Sequence, residues 1–278
     1  MTKILNLAIA GAAGRMGRQL INAALDLGHG ISGGSEVPGS PALGTDLGIL
    51  AGRSELGRKA SASLFEAAAA ADVWIDFTTP SATLRALETL PGLGVKAAVI
   101  GTTGFTADEE AVLAKSAGKL AIVKAGNFSL GVNLLQALVK QAAARLGEDW
   151  DIEVLETHHR RKVDAPSGTA LMLAEAAAQG RERPLHELRR APYDGPDAKR
   201  QMGEIGFAVR RSGGVIGTHE VTFGSDLEEL SLSHMALDRA VFAHGAVRAA
   251  EWVAAQHAPG LYTMDHVLGL ASVGTDKP

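Results

Sequence analysis

The stretch ILNLAIAGAAGRMG, residues 4–17, carries an apolar run directly into a glycine-rich turn. The run at residues 4–10 predicts a buried strand, and apolar residues at helical spacing over 15–27 predict a helix after the turn. Glycines suit such a turn because the backbone bends sharply and the N–H groups at the helix start can approach a pyrophosphate. The spacing is G-x-x-G-x-x-G rather than G-x-G-x-x-G, so the motif alone also fits an ordinary strand-to-helix turn.

The chain beyond this turn alternates short apolar runs with longer amphipathic stretches, which is typical of a parallel sheet wrapped by helices. Four more strands are predicted, at residues 30–36, 73–77, 97–100 and 120–125. Glu36 closes the second strand about 20 residues after the turn, where a carboxylate accepts hydrogen bonds from the adenosine ribose. A solvated loop acid is the alternative interpretation of Glu36.

Three small turns follow the later strands, at residues 77–80, 101–104 and 125–128. The carboxyl ends of parallel strands line the ligand crevice of an open α/β sheet, so these turns lie where a nicotinamide ribose and ring would run. Together with the glycine turn, they predict an α/β, Rossmann-like dinucleotide-binding domain.

The second half of the chain has a different pattern. A long helix is predicted at residues 129–146, and another begins near Ser167. Residues 181–203 lack periodicity and predict a mobile or extended loop. Four strands are predicted in this half, at residues 152–158, 207–211, 220–223 and 229–234, and one more helix at 240–256. Together they predict a smaller α+β unit with a mixed or antiparallel sheet.

The segment ETHHRRKVDAPSGTA, residues 156–170, concentrates histidines, cations and a helix start. The backbone N–H groups of its Ser-Gly-Thr run lie at a positive dipole end, which binds a carboxylate or phosphate well. An N-cap serine beside a solvated basic turn is the alternative, although crowded like charges repel unless an anion lies among them. No metal site is predicted, because adjacent histidines point to opposite sides of a strand. Ser167 lacks the Gly-x-Ser-x-Gly elbow of an acyl-transfer nucleophile.

Composition excludes several classes of function. The 278 residues include 46% hydrophobic residues and carry a net charge of −4, which predicts a folded chain that does not bind nucleic acid. The absence of cysteine removes disulfides and thiolate chemistry. The first apolar run meets the glycine turn well before the roughly 20 residues that a membrane span needs, so we expect a cytoplasmic protein without a membrane anchor.

The segment at residues 156–170 resembles the signature of the dihydrodipicolinate reductase family, the 4-hydroxy-tetrahydrodipicolinate reductases. The resemblance extends over essentially the whole chain, with further landmarks in the same order at residues 11–17, 76–78, 99–104, 127–133, 205–207 and 245–248. It implies NAD(P)H-dependent reduction of 4-hydroxy-tetrahydrodipicolinate to tetrahydrodipicolinate, in the diaminopimelate route to lysine. The residues fit this chemistry, which needs a hydride donor, a proton donor and cations for two carboxylates.

The resemblance also implies a domain organisation and an oligomeric state. Residues 1–128 correspond to the dinucleotide-binding domain, to which a C-terminal helix within 240–278 returns. Residues 129–239 correspond to a substrate-binding and oligomerisation domain, whose sheet builds a homotetramer.

Site residues follow from the same resemblance, position by position. His158 matches the catalytic histidine and Lys162 the proton-donating lysine. The groups that hold the substrate carboxylates match His159, Lys162, Ser167, Gly168 and Thr169. The cofactor contacts match Gly11, Ala12, Ala13, Gly14, Arg15, Met16, Glu36, Gly101, Thr102, Thr103, Ala125, Gly126, Asn127 and Phe128.

The sequence departs from many relatives after Glu36, where arginine is common and Val37 stands here. NADH and NADPH are both candidate cofactors. We expect NADH to be preferred, although Arg15 in the glycine turn could supply a charge for a 2′-phosphate. Two alternatives to the reductase stay open at this point: another Rossmann-type amino-acid or semialdehyde dehydrogenase, and a non-enzymatic dinucleotide sensor.

Overall fold

The computed structural model describes residues 3–190, 192–196 and 198–271. Residues 1–2, 191, 197 and 272–278 lie outside the described part, and so do the predictions made for them. The chain divides into two compact units, one formed by Met1–Ser129 with Ala240–Pro278 and the other by Leu130–Arg239.

The first unit alternates strands and helices, as the apolar runs predict. Each predicted strand forms within two residues of its expected bounds, because the runs are short and end at turn residues. The elements in chain order are β1 (Asn6–Ala10), α1 (Arg15–Asp26), β2 (Gly30–Ser35), α2 (Leu47–Leu50), β3 (Ala60–Ser61), α3 (Leu64–Ala67), β4 (Val73–Asp76), α4 (Pro80–Thr89), β5 (Ala97–Ile100), α5 (Ala107–Ser116) and β6 (Ala121–Lys124).

The second unit is the smaller α+β fold that the sequence predicts. Its elements are α6 (Leu130–Arg145), β7 (Asp151–His158), α7 (Gly168–Gly180), α8 (Leu185–Leu188), β8 (Ile205–Arg211), β9 (Gly217–Gly224) and β10 (Glu229–Ala236).

The prediction of a loop throughout residues 181–203 is wrong at α8. The segment is also anchored by two arginines rather than extended freely. Arg181 donates to the carbonyl oxygen of Gly203 at 3.2 Å, and Arg200 forms an ion pair with Asp151 at 2.7 Å. Periodicity gives no sign of such contacts, because four residues make a single helical turn and the anchoring partners lie far away in sequence.

The chain then returns to the first unit through α9 (Ala240–Ala254), β11 (Gly260–Tyr262) and α10 (Met264–Val267). Helix α9 approaches the end of β6 very closely. A Cβ added at Gly245 would lie 1.7 Å from the carbonyl oxygen of Phe128, so only glycine fits there. His29 and Glu251 also join α9 to the sheet unit, through a hydrogen bond of 3.0 Å.

The first sheet is parallel throughout and has the strand order β11-β6-β5-β4-β1-β2-β3. The strand order reverses beside β1, which pairs with both β2 and β4. Such a topological switch point opens a ligand crevice at the carboxyl ends of the strands. The apolar runs read as continuous rather than alternating because all four residues of β4 and all four of β5 are buried between helices.

The second sheet is mixed and has the order β10-β9-β7-β8. Strand β7 runs parallel to β8 and antiparallel to β9. Residues of α6 and α7 share one core with the sheet, including Val139, Leu173, Val154 and Phe223. The predicted fold class is thus confirmed in both parts. Within the described residues, no helix is long and apolar enough to cross a bilayer.

Candidate active site

The glycine turn after β1 is shaped by close backbone contacts. Gly11 has φ +62°, a left-handed conformation that favours glycine. A Cβ at Gly17 would lie 2.2 Å from the carbonyl oxygen of Gly11, so the third glycine lets α1 pack directly on the turn. The N–H of Gly14 donates to that same oxygen at 2.9 Å. These contacts give each glycine of G-x-x-G-x-x-G a steric or conformational role.

Glu36 lies at the glycine turn rather than out in solvent. The backbone N–H of Ala13 donates to its Oε1 at 2.8 Å, which joins the end of β2 to the turn before α1. Its neighbour Val37 is two-thirds exposed, at 67%, and carries no charge. Arg15 is exposed, whereas Arg18 bonds back to the carbonyl oxygen of Ala13 at 2.9 Å. The structure therefore brings the predicted pyrophosphate turn and the predicted ribose-binding acid together.

Asp76, at the end of β4, organises two further turns. Its buried carboxylate accepts from the N–H and hydroxyl of Thr78, at 2.9 and 2.6 Å, and from the hydroxyl of Thr102 at 3.3 Å. Thr102 is itself buried, and Thr103 beside it is exposed. One carboxylate thus sets the positions of the turns after β4 and β5.

Aromatic packing brings the last turn, residues 125–128, to the same edge of the sheet. The rings of Phe77 and Phe128 lie 5.3 Å apart, centroid to centroid. Gly101 passes close to the Phe77 ring, which a Cβ there would approach to 2.0 Å. Asn127 accepts from the N–H of Ser129 at 2.8 Å, and Gly126 is exposed. All the predicted cofactor-binding segments therefore meet at the carboxyl edge of the first sheet.

In the second unit, a buried carboxylate lies beside His158. Glu156 is fully buried in β7, and its oxygens accept from Nδ1 of His158 and from both terminal nitrogens of Arg211, the latter at 2.9 and 3.1 Å. Burial opposes ionisation of this carboxyl, but the hydrogen bonds from Arg211 and His158 outweigh it and lower the pKa of Glu156. Glu156 is therefore ionised at neutral pH.

Ser167 caps helix α7 and connects it to the same group of residues. Its hydroxyl accepts from the N–H of Ala170 at 3.1 Å, and its own N–H donates to Glu156 at 3.1 Å. Gly168 opens the helix, and a Cβ there would meet nothing within 4 Å, so the space beside its Cα is open. Thr169 follows in the first turn of the helix.

His219, on β9, completes this arrangement. Its Nε2 lies 3.0 Å from the hydroxyl oxygen of Ser167, and its ring meets that of His158 edge-on with centroids 5.1 Å apart. Burial and, to a lesser extent, the charge on His158 together lower the pKa of His219 to about 4. A neutral His219 is therefore the state present at neutral pH.

The other two predicted residues have separate partners. Nε2 of His159 lies 3.2 Å from a terminal nitrogen of Arg239, and partial desolvation and this cation lower the pKa of His159. The ammonium of Lys162 bonds both oxygens of Asp164 at 2.8 Å, and that hydrogen bond lowers the pKa of Asp164. The basic turn thus holds its own counter-ion, which explains how three cations in sequence are accommodated.

Several residues of these sites are not among the predicted site residues. They are Asp76, Glu156, Arg211, His219 and Arg239. One signal was available in the sequence: His158 and Arg211 each end a predicted strand, and the structure pairs these two residues on adjacent parallel strands. The others act across turns or between strands whose register the sequence does not specify. Within the part of the chain that the structure describes, no three acidic or histidine residues cluster as metal ligands.

These observations define a class of protein: an oxidoreductase that uses a nicotinamide dinucleotide, with a Rossmann-like unit and a second, α+β unit that carries a basic turn. Family models give the particular assignment. The model for the dihydrodipicolinate reductase N-terminus matches residues 5–128, and the model for the C-terminus matches residues 131–268. The chain therefore belongs to the dihydrodipicolinate reductase family, as its sequence signature predicts.

Individual proteins agree with this assignment. The chain is 48% identical to 4-hydroxy-tetrahydrodipicolinate reductase of Parvibaculum lavamentivorans, over 97% of this chain and 100% of that protein. It is 49% identical to the enzyme of the same name from Afipia carboxidovorans, over 96% and 98%. A dipicolinate-bound dihydrodipicolinate reductase from Paenisporosarcina shares the fold, with a TM-score of 0.75 and 23% identity over 94% and 98% of the two chains. Family membership excludes the alternative of an amino-acid or semialdehyde dehydrogenase family.

Proposed function

We propose that this chain reduces 4-hydroxy-tetrahydrodipicolinate to tetrahydrodipicolinate, with a nicotinamide dinucleotide as the reductant, in the diaminopimelate route to lysine. Family membership supports the reaction. The observation that carries the substrate class is the start of α7, where Ser167 and Gly168 adjoin the imidazole network of His158 and His219. We place the reaction in the cytoplasm, where nicotinamide dinucleotides are maintained.

The substrate carboxylates are bound by the helix start and the basic turn. Gly168 lies at the positive end of the α7 dipole with Thr169 next to it, and the open space beside the Cα of Gly168 gives an anion room to approach. His159 and Lys162 supply further donors. Lys162 is held by Asp164 alone in the described contacts, so a substrate carboxylate competes with Asp164 for the same ammonium.

Reduction of the substrate releases water and adds one hydride and one proton. The cofactor supplies the hydride when bound. Lys162 and His158 supply the proton, because an ammonium or an imidazolium beside an anionic substrate is a suitable general acid. Ser167, Gly168, Thr169 and His159 orient the dicarboxylate for this transfer.

The residues of the first unit fit a dinucleotide. Gly11, Ala12, Ala13, Gly14, Arg15 and Met16 would hold the pyrophosphate. Glu36 would accept from the adenosine ribose, and the turns at 101–103 and 125–128 would hold the nicotinamide half. We propose that NADH is preferred over NADPH, because Glu36 is fixed at the turn and Val37 supplies no positive charge.

We also propose that the second unit builds a homotetramer. Strand β10 is at one edge of its sheet, and none of its eight described residues is buried. Two exposed residues of the strand are large and apolar, Leu230 at 41% exposed and Met235 at 61%. An edge strand of this kind offers unpaired backbone groups and apolar surface to a second copy.

The proton donor gives the sharpest test of the reaction. Lys162→Ala is expected to lower kcat by about 10² or more, the usual contribution of a positioned general acid, while cofactor affinity is retained. The matched control is Lys140→Ala, which removes an exposed lysine of α6 in the same unit. The measurement is the decay of nicotinamide absorbance with and without freshly made substrate. An unchanged kcat in the Lys162 variant would remove this residue from the mechanism.

The same assay separates a reductase from a dinucleotide sensor. A sensor binds the cofactor but consumes none when substrate is added. For His158→Ala, a fall in kcat supports a role in proton transfer, whereas a rise in KM alone restricts this residue to binding.

A further inference from the structure

One fully buried carboxylate, Glu156, touches both halves of the candidate substrate site. Each of its oxygens accepts two hydrogen bonds. Oε2 accepts from Nδ1 of His158 and from Arg211 at 2.9 Å, and Oε1 accepts from the N–H of Ser167 and from Arg211 at 3.1 Å. Three of these four contacts come from groups that can only donate, the two nitrogens of Arg211 and the N–H of Ser167, so the site matches an ionised carboxylate.

The ionised state of Glu156 decides where the proton of His158 lies. A carboxylate is an acceptor only, so Nδ1 of His158 must carry the hydrogen of their shared bond. Nε2 is then the nitrogen that exchanges a proton during reaction. Gly217 keeps that nitrogen uncovered, because a Cβ at Gly217 would lie only 3.1 Å from it.

Arg211 extends the same network to the basic turn. Besides its two bonds to Glu156, it donates to the carbonyl oxygen of Asp164 at 2.7 Å. Asp164 is in turn the partner of Lys162. The Glu156 and Arg211 pair therefore contacts the imidazole, the cap of α7 and the turn that carries Lys162.

We infer that Glu156, paired with Arg211, is a positioning residue of the reductase: it holds His158 in the tautomer with hydrogen on Nδ1, and it fixes the N-terminus of α7. The inference rests on the proposed function and adds to it a residue that touches neither substrate nor cofactor. Glu156 acts through His158 and Ser167. Burying a carboxylate is costly, and the cost is offset here by four donors that place reacting groups.

Glu156→Gln tests this role with almost no change in shape. One carboxylate oxygen becomes an NH₂ group, which faces two donors whichever way the amide is oriented. Either His158 or Ser167 then loses its acceptor. We expect kcat to fall about 10²-fold, the contribution of a correctly placed acid. KM for substrate rises as well if Ser167 is the partner that is lost. Glu156→Asp keeps the charge but shortens the side chain, so it should recover part of kcat.

The first unit offers a matched control. Glu251 bonds Nε2 of His29 at 3.0 Å and Arg248 at 2.8 Å. It therefore combines a carboxylate, an imidazole and a guanidinium, as Glu156 does, but outside either candidate site. Glu251→Gln is expected to keep kcat and the pH profile of kcat unchanged. The Glu156→Gln profile should shift, since the charged and titratable groups beside His158 are then Arg211, His219 and His159 without the carboxylate. Equal profiles in wild type and Glu156→Gln overturn the inference.

A second readout does not depend on activity or on a variant of Glu156. Nitrogen-15 NMR of the wild-type protein above pH 7 distinguishes the two neutral tautomers of His158, whose signals are assigned by their loss in His158→Gln. Hydrogen on Nδ1 is the expected result, and hydrogen on Nε2 overturns the inference. If the wild type shows the Nδ1 tautomer but does not reduce the substrate, the proposed function is refuted, whereas the inference that Glu156 sets the tautomer of His158 is retained.

Discussion

Replacement of Val37 by arginine is expected to shift cofactor use from NADH toward NADPH. The reason lies in the fixed position of Glu36, whose Oε1 accepts from the N–H of Ala13 at 2.8 Å. A carboxylate held there can accept from a ribose hydroxyl, but it repels a 2′-phosphate. Val37 is 67% exposed, so an arginine side chain has room at this position to reach the phosphate and offset the repulsion.

The size of the effect follows from the charges involved. Two unit charges about 4 Å apart interact by about 1 kcal/mol in water and about 4 kcal/mol at an effective dielectric constant near 20. Glu36 is half-buried, which places it between these limits, while the mobile ends of both groups and salt reduce the repulsion. A net discrimination of about 1–3 kcal/mol remains, equal to about fivefold to 150-fold in kcat/KM. The wild type should therefore favour NADH by a few-fold or more.

The assay is kcat/KM for NADH and NADPH at one salt concentration, in wild type, Val37→Arg and Val37→Ala. Val37→Ala is the control for loss of the valine without added charge, and its cofactor ratio should match the wild type. Val37→Arg should recover NADPH use. If the wild type prefers NADPH and Arg15→Ala abolishes that preference, Arg15 holds the phosphate and the reasoning from Glu36 and Val37 is wrong.

Two further predictions concern the second unit. His219 has a pKa of about 4 in the folded protein and about 6.5 in an unfolded chain, so the unfolded chain takes up the proton first as pH falls. The contribution of His219 to the free energy of unfolding is therefore complete above pH 6.5 and falls by up to about 3 kcal/mol as pH falls toward 4. Urea unfolding at pH 7.5, 6 and 5 should show this loss in wild type and a smaller one in His219→Gln; parallel pH dependences would refute it. Light scattering at working concentrations should give the mass of four chains, and a monomer there would refute the tetramer.

Sequence patterns predict the first unit well because each of its rules is local. An apolar run of four to seven residues buried on both faces becomes a strand, and the glycine turn marks the change from strand to helix. The short strands β3 and β11 escape such patterns, because two or three residues are too few to show a period. Helix α8 escapes for the same reason. Their positions depend on tertiary pairing, for example of β11 with β6.

The candidate cofactor site is equally predictable, and the candidate substrate site only in part. Glu36 and the glycine turn lie at the ends of the neighbouring strands β1 and β2, so the parallel fold alone brings them together. Glu156, in contrast, is one of several acids in its segment. Its role depends on Arg211, 55 residues further on, and sequence gives no register for β7 and β8.

The two units fix their functional groups by different physical means. In the first, glycines remove side chains so that backbone segments meet: Gly17 lets α1 contact the turn, and Gly245 lets α9 contact Phe128. In the second unit, the buried carboxylate of Glu156 connects the elements, because it bonds groups from β7, from β8 and from the start of α7. Steric fit holds a site regardless of pH, whereas a charge network holds it only while its members keep their protonation states. The glycine contacts of the first unit should therefore persist in acid, whereas the Glu156 network should not.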